Sequence, residues 1–370
     1  MTVPSRAVLG DLADITVADV PSEVTAALVV APRSLDDLAR VMSVAAQHGA
    51  RVVPVGSGST LRGTGTDIAV TTHNLADIVD YQPDDLTIVV GAGVSLHKLD
   101  EVLAERRLSA VLPETTPDRT VGGVVASGAS GYRRLRYGPT RDRVLEVTMA
   151  TGYGEVVRGG GRLVKNVTGY DLARLTVGSL GSLGIIGSVC FKLWPVSTVQ
   201  RTVTVDGPAS VLESLFQPVA VLETESGSHV YLQGELTTVD RQAQHLGGCL
   251  VEGFDWPEPE SSQVHLSLRV PPLHVSSAAD RARQIGSSWF VAQHGVGVVE
   301  MGVDGYDAAA VSDLRSWAEE RNGSLVVSAS GLSSADRWGR RPPTFDIQQR
   351  MKLLFDPAGI CNPGALPGGL

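Results

Sequence analysis

Three stretches of small residues carry the chemistry open to this sequence. The first is Val55-Gly56-Ser57-Gly58-Ser59-Thr60. Its glycines let backbone approach a ligand closely, and its hydroxyls add hydrogen-bond donors. Successive N–H groups in such a loop form an anion-binding nest, although a plain turn has the same composition. The second runs from Pro113 through Thr120 to Gly131, and the eleven positions from Val121 hold only valine, glycine, alanine and serine. A solvent loop is more polar than that, so this segment is expected to lie buried against something flat or extended. The third is Gly159–Leu172, continued by Gly178-Ser179-Leu180-Gly181-Ser182-Leu183-Gly184-Ile185-Ile186.

Other chemistries are excluded by what is missing. There is no Gly-Lys pair for a P-loop, and Gly91-x-Gly93 is followed by Leu96 where a dinucleotide fingerprint needs glycine. Neither a GxSxG elbow nor an HExxH pair occurs. The 8 histidines show no metal-ligand spacing. The 3 cysteines, Cys190, Cys249 and Cys361, form no CxxC and no disulfide framework, which fits a reducing, cytoplasmic setting. Acidic residues outnumber basic ones 40 to 31, a net charge of −9, with no basic stripe for nucleic acid. The one dense basic run, Arg133, Arg134, Arg136, Arg141 and Arg143, reads as a solvated loop, an anion site or a contact for an acidic partner. The N-terminus has no long apolar core of a signal peptide, and the longest apolar stretch, Leu175–Phe191, is too short and glycine-rich for a membrane span.

The elements that must position these loops follow from periodicity. Leu28–Ala31 reads as a strand. Ser34 caps a helix whose Leu35, Leu38, Val41, Met42 and Ala45 share a face, and Gly49 stops it. Arg51–Val55 then forms a strand delivering the first loop. Further strands are expected at Ala69–Thr72 and Thr87–Val90, a helix capped by Ser95, a hairpin turning at Thr151–Gly154, a short helix near Tyr170–Leu175 and a buried strand at Ile185–Leu193. Beyond Trp194-Pro195 the pattern changes. Strands at Val230–Leu232, Val264–Val270, Trp289–Gln293, Gly297–Val303 and Leu325–Ser328, with helices at Ser276–Ile285 and Tyr306–Glu320, point to an α+β sheet domain. Gly331–Pro343 reads as a loop and Phe345–Phe355 as a last helix. No internal repeat is visible. With 370 residues, 43% of them hydrophobic and 19% charged, the chain can bury two cores.

The three loops in this order, quoted as VVPVGSGST, TVGGVVASGASGYRRLRYGPTRDRVLEV and GGRLVKNVTGYDLARLTVGSLGSLGIIG, with the terminal FDPAGICNPG, resemble the FAD-binding domain of the vanillyl-alcohol oxidase/PCMH flavoprotein superfamily. Within it the sequence is most similar to E-type subunits of bacterial glycolate oxidases. The resemblance covers about 28–200 and 345–370; residues 201–335 match only in general character. It implies an α+β fold: a two-subdomain PCMH-type FAD-binding domain at 28–200 after an N-terminal segment 1–27, a smaller α+β sheet cap domain inserted at 201–335, and a C-terminal segment 345–370 returning to the FAD domain. It implies FAD on Val55, Gly56, Ser57, Gly58, Ser59 and Thr60, on Pro113, Thr120, Gly122, Gly123, Ser127, Ser130 and Gly131, and on main chain at Val144, Gly184, Ile185 and Ile186.

Relatives that attach flavin covalently use a histidine or cysteine beside these loops. Neither occurs there, so FAD is expected to be non-covalent. Gln293-His294-Gly295 is a poor remnant of the metal-binding motif of catalytic relatives, and no metal is expected. The resemblance therefore implies a subunit of a glycolate oxidase-like 2-hydroxy-acid dehydrogenase, taking glycolate or D-lactate. A catalytic flavoprotein subunit and an iron–sulfur subunit would be its partners, and it would be cytoplasmic, at the inner membrane only through them. The alternatives are a self-sufficient D-2-hydroxy-acid dehydrogenase and a non-enzymatic module that keeps the fold. The first would need a base and an arginine for the substrate carboxylate, for which Lys165, His265, Arg269 and His294 are candidates, with no catalytic residue assigned.

Overall fold

The computed structural model describes residues 10–17, 24–60, 65–114, 116, 118–162, 171–206, 214–329 and 331–370. They form two compact units. One holds residues up to Ala129 with Pro139–Pro195 and Arg340–Leu370; the other holds Ser130–Gly138 and Val196–Gly339.

In the first unit, Thr25–Val30 (β1) leads into the helix Leu35–His48 (α1). The Ser34 hydroxyl accepts from the Asp37 amide, and Gly49 ends the helix at φ 62°. Leu38, Val41, Met42 and Ala45 are buried on its inner face. Val52–Val55 (β2) and β1 both pair in parallel with Gly65–Thr71 (β3), giving the order β1-β3-β2. The C-terminal segment extends this sheet: the Val52 amide donates to Ile360 O, and the Asn362 amide to Val52 O, each at 2.8 Å.

The second sheet of this unit is antiparallel. Its strands are Ile78–Gln82 (β4), Thr87–Gly91 (β5), Val144–Thr151 (β7), Val156–Gly160 (β8) and Gly184–Lys192 (β9), in the order β4-β5-β9-β7-β8. Leu108–Ser109 (β6) pairs with Trp194–Pro195 (β10). Leu96–Ala104 (α2), capped by Ser95, buries Leu96, Leu99 and Leu103 against the sheet.

The small-residue segment, for which no element was expected, is helical. Val121–Ser127 is a short helix (α3), capped by Thr120 and ended by Gly128 at φ 65°. Valine and glycine are poor helix formers. Tertiary contact decides instead, because a Cβ on Gly122 would lie 2.8 Å from Ala92 Cβ.

The second unit is one antiparallel sheet of eight strands: Val199–Val205 (β11), Ala220–Thr224 (β12), Gly227–Gly234 (β13), Cys249–Glu252 (β14), Val264–Arg269 (β15), Trp289–Gln293 (β16), Val298–Val303 (β17) and Ser324–Ser328 (β18). The order is β14-β11-β13-β12-β16-β17-β15-β18. Read outward from the centre, each half runs second, third, first, fourth strand. This is a repeat of topology that no sequence similarity announced. The second half is a βαββαβ unit, with Val275–Gln284 and Ala308–Glu319 as its helices.

Apolar side chains on these helices and the strand positions facing them form one core. The strands β11, β12 and β14 and the helix Leu236–Leu246 were absent from the sequence reading, as was β4 in the first unit. The short helix Ser334–Trp338 lies where a loop was expected.

The segment Ser130–Gly138 is held in the second unit by aromatic and polar contacts. Tyr132 lies 5.7 Å from Trp256, which stacks on Tyr231 at 4.1 Å, and Arg136 Nη1 donates to Gln217 O at 2.8 Å. Nor is Arg143, in the first unit, part of a solvated loop: it is 1% exposed and donates to Thr140 Oγ1.

Candidate functional site

Strand β2 delivers Gly56–Thr60 to a cleft in the first unit. Further wall comes from Arg119, Thr120 and α3, and from the turn Leu180–Gly184 running into Ile185 and Ile186 of β9. Small side chains are a steric requirement here. A Cβ on Gly56 would overlap Thr120 Oγ1, the same atom that caps α3 by accepting from the Gly123 amide at 3.2 Å.

Backbone donors are distributed unevenly around the cleft. At the start of α3, Val121 N–H donates to Val94 O and Gly122 N–H to Ala92 O, both at 2.8 Å, and Gly123 N–H to Thr120 Oγ1. The first three amides of α3 are therefore engaged inside the protein. Among the described residues, by contrast, the amides of Gly56–Thr60 donate to no protein acceptor. Gly56, Ser57 and Gly58 are half-buried and Ser59 and Thr60 exposed; a run of N–H groups without protein acceptors marks a place where an anion fits.

Among the described residues, Arg119 is the one ionisable residue lining the cleft. Its Nη2 donates to Thr60 Oγ1 at 3.0 Å and to Ser127 Oγ at 2.9 Å. The Ser127 hydroxyl itself donates to Gly123 O at 2.7 Å, which fixes its lone pairs toward the guanidinium. Arg119 Nε is buried with no hydrogen-bond partner. Desolvation holds the guanidinium pKa below its ordinary value.

The C-terminal segment fixes the last wall. Lys352 Nζ donates to Ser182 O at 2.8 Å, to Cys361 O at 2.7 Å and to Asp356 Oδ2 at 2.5 Å. Asn362 Nδ2 donates to Leu180 O at 2.6 Å. Asp356 is fully buried and accepts from the Ile360 and Cys361 amides, so the lysine charge is compensated.

Of the residues expected at FAD, the cleft gathers Val55, Gly56, Ser57, Gly58, Ser59, Thr60, Thr120, Gly122, Gly123, Ser127, Gly184, Ile185 and Ile186. Pro113 and Val144 belong to the same unit but do not line it, and Val144 is buried at the start of β7. Ser130 and Gly131 fall in the second unit. Arg119, Thr72, Ala92 and Leu180 line the cleft without having been singled out. Arg119 could not be read from spacing, since one of its two partners, Thr60, lies 59 residues away.

The second unit holds three of the four base or carboxylate-binding candidates; Lys165 lies outside the described residues. His265 Nε2 is 3.1 Å from Glu300 Oε2, and Ser267 Oγ donates to the other carboxylate oxygen at 2.9 Å. Burial pushes the Glu300 carboxyl up, but the His265 and Ser267 contacts outweigh it and hold the group below its usual value. Arg269 is exposed two residues beyond Ser267, an alternation that puts both on one strand face. His294 is different: it is buried, with Nε2 2.8 Å from Glu223 Oε2, and Arg283 Nη2 donates to Glu223 Oε1 at 2.6 Å. It is a tie within the sheet, not a free base. Among the described residues, no group of three His, Cys, Asp or Glu side chains could hold a metal ion. No described helix is long and apolar enough to cross a membrane.

Comparison with known proteins reaches the same cleft. Residues 26–160 match the family model described as an FAD binding domain. The chain is 29% identical over 321 residues to the glycolate oxidase subunit GlcE of Escherichia coli, covering 82% of this chain and 87% of that protein. It is 34% identical over 179 residues to the glycolate oxidase subunit GlcD of Bacillus subtilis, covering 47% of this chain but only 38% of that protein. It is 24% identical over 401 residues to a D-lactate dehydrogenase of Archaeoglobus fulgidus, covering 91% and 90%. Among solved structures, an alkyldihydroxyacetonephosphate synthase superposes with a TM-score of 0.65 over 93% of this chain and 77% of that one, at 14% identity, which is likeness of fold alone. The chain is an FAD-binding oxidoreductase with a PCMH-type FAD-binding domain, and it resembles glycolate oxidase subunits and D-lactate dehydrogenases.

Proposed function

We propose that the cleft of the first unit holds FAD without a covalent link, and that the chain is the FAD-carrying subunit of a glycolate oxidase-like 2-hydroxy-acid dehydrogenase. The observation that carries this reading is the run of unengaged amides at Gly56–Thr60 inside a cleft lined by small residues. The amides and hydroxyls of this loop hold the anionic middle of the cofactor. Leu180, Ala126, Ile185 and Ile186 give the cleft apolar surface that excludes water. None of the lining residues is a histidine or cysteine, the side chains used for covalent flavin links. Bound there, flavin supplies a two-electron acceptor for a substrate carbinol carbon and a donor to a further redox partner.

The match to GlcE over most of both chains favours a subunit role. A catalytic flavoprotein subunit and an iron–sulfur subunit would be its partners. The complex would act on glycolate or D-lactate in the cytoplasm, touching the inner membrane only through its partners. The residues Val55–Thr60, Thr120, Gly122, Gly123, Ser127 and Gly184–Ile186 are the proposed FAD contacts.

A second reading has its own support. The Archaeoglobus D-lactate dehydrogenase matches over nine-tenths of its length, and His265, oriented by Glu300 and placed on the strand that carries Arg269, has the make-up of a base beside a carboxylate binder. The anaerobic visible spectrum of the purified chain, with and without glycolate or D-lactate, separates the two. A flavin spectrum that persists on substrate addition is expected of the subunit. Bleaching by substrate alone would make the chain a dehydrogenase in its own right. A chain that binds no flavin would sink both.

A further inference from the structure

We propose that Arg119 supplies the counter-charge for the cofactor diphosphate, with Thr60 and Ser127 holding its guanidinium ready before the cofactor arrives. The inference rests on FAD occupying this cleft and adds a residue outside the glycine–serine loop.

Several independent observations converge on it. Among the described residues, Arg119 is the one ionisable side chain lining the cleft. Among the described residues it pairs with no carboxylate. A partly desolvated cation without a counter-ion is destabilising. A bound anion would bring the compensating charge. Of the five guanidinium N–H groups, two are spent on Thr60 and Ser127 through Nη2. Those on Nε and Nη1 remain, and the buried Nε has no acceptor.

The backbone explains why a cation is needed at this wall. The start of α3 cannot serve the phosphates as helix starts often do, because its first three amides already bond Val94 O, Ala92 O and Thr120 Oγ1. The loop Gly56–Thr60 offers neutral donors from one side only. Arg119 joins that loop to α3 through Thr60 and Ser127, so the charge is placed where the two meet. Guanidinium to phosphate oxygen is a strong, charge-assisted pairing with fixed geometry.

The test uses the full chain stripped of FAD. FAD affinity is measured by flavin fluorescence across a range of NaCl concentrations for the wild type, Arg119→Gln and Arg119→Lys, together with the melting temperature of each apo-protein. Arg119→Gln keeps hydrogen-bonding capacity and removes the charge. It is expected to weaken FAD binding about 10- to 100-fold and to flatten the salt dependence. Its apo form should melt at or above the wild-type temperature, since an uncompensated, partly desolvated cation is gone. Arg119→Lys should recover part of the loss.

FAD affinity of Arg119→Gln within twofold of wild type overturns the proposal. So does a loss in Arg119→Lys as large as in Arg119→Gln, which would show that charge is not what matters. An Arg119→Gln chain that fails to fold, or whose apo form melts well below wild type, assigns the arginine a structural role and overturns it as well. Failure of the wild type to bind FAD would instead overturn the cleft assignment itself.

Discussion

Gly58 shows how much one residue can decide. Its φ is 77°, a conformation open to glycine and strained for a β-branched side chain. It also sits in the middle of the loop with unengaged amides. Gly58→Val is therefore expected to leave the folded chain largely without flavin, read as the FAD-to-protein ratio after purification; a normal ratio would show that the loop does not touch the cofactor. This position was legible in the sequence because the small-residue composition is itself the physical requirement. Arg119 was not legible, because its meaning lies in Thr60, far away in the chain, and in the absence of a carboxylate, which only coordinates reveal. His294 was misleading for a related reason: a histidine in a glycine-rich turn looks available until Glu223 is found against it.

Among elements, the joint between β2 and β3 carries an electrostatic signature. Arg51 donates to both oxygens of the buried Asp67 carboxylate at 3.1 Å, and the Arg51 amide donates to it at 2.9 Å. The Arg51 guanidinium beside Asp67 holds its carboxyl below the usual range. A depressed carboxyl stabilises the fold fully above its unfolded pKa, near 4, and that contribution disappears as pH falls through the lower folded value. Asp67→Asn should thus lower stability at pH 7 by about 1 kcal/mol, a figure reduced for the exposed guanidinium. The gap from wild type should close under acid, as followed by thermal melting from pH 7 downward. A gap independent of pH would mean that packing, not charge, holds the joint. The capped helices α1 and α2 and the strands β2, β5 and β16 were readable from periodicity and caps. Helix α3 was not, because its valines and glycines have low helix propensity and are held helical by close packing on Ala92. Strand β14 was missed because all four of its residues are exposed, which leaves no alternation to read.

For the whole molecule, the non-covalent attachment proposed for FAD has a direct test, since among the described residues no histidine or cysteine lines the cleft. Precipitating the holoprotein under denaturing conditions should release all the flavin into the supernatant, and flavin that stays with the pellet would disprove a non-covalent site. Cys190 does not complicate this: it is buried, and burial pushes its pKa up to about 11. The eight-stranded sheet of the second unit has a different lesson. Its halves meet along β12 and β16 through only two paired positions, Leu222 with Gln293 and Glu223 with Ala292. Glu223 spans that seam to His294 and Arg283. Either half alone would present this strand as an open edge, ready to pair with any copy of itself. Joining the halves head to head closes the edge by the same rule that builds a two-fold dimer, so this unit is a homodimer's solution written into a single chain.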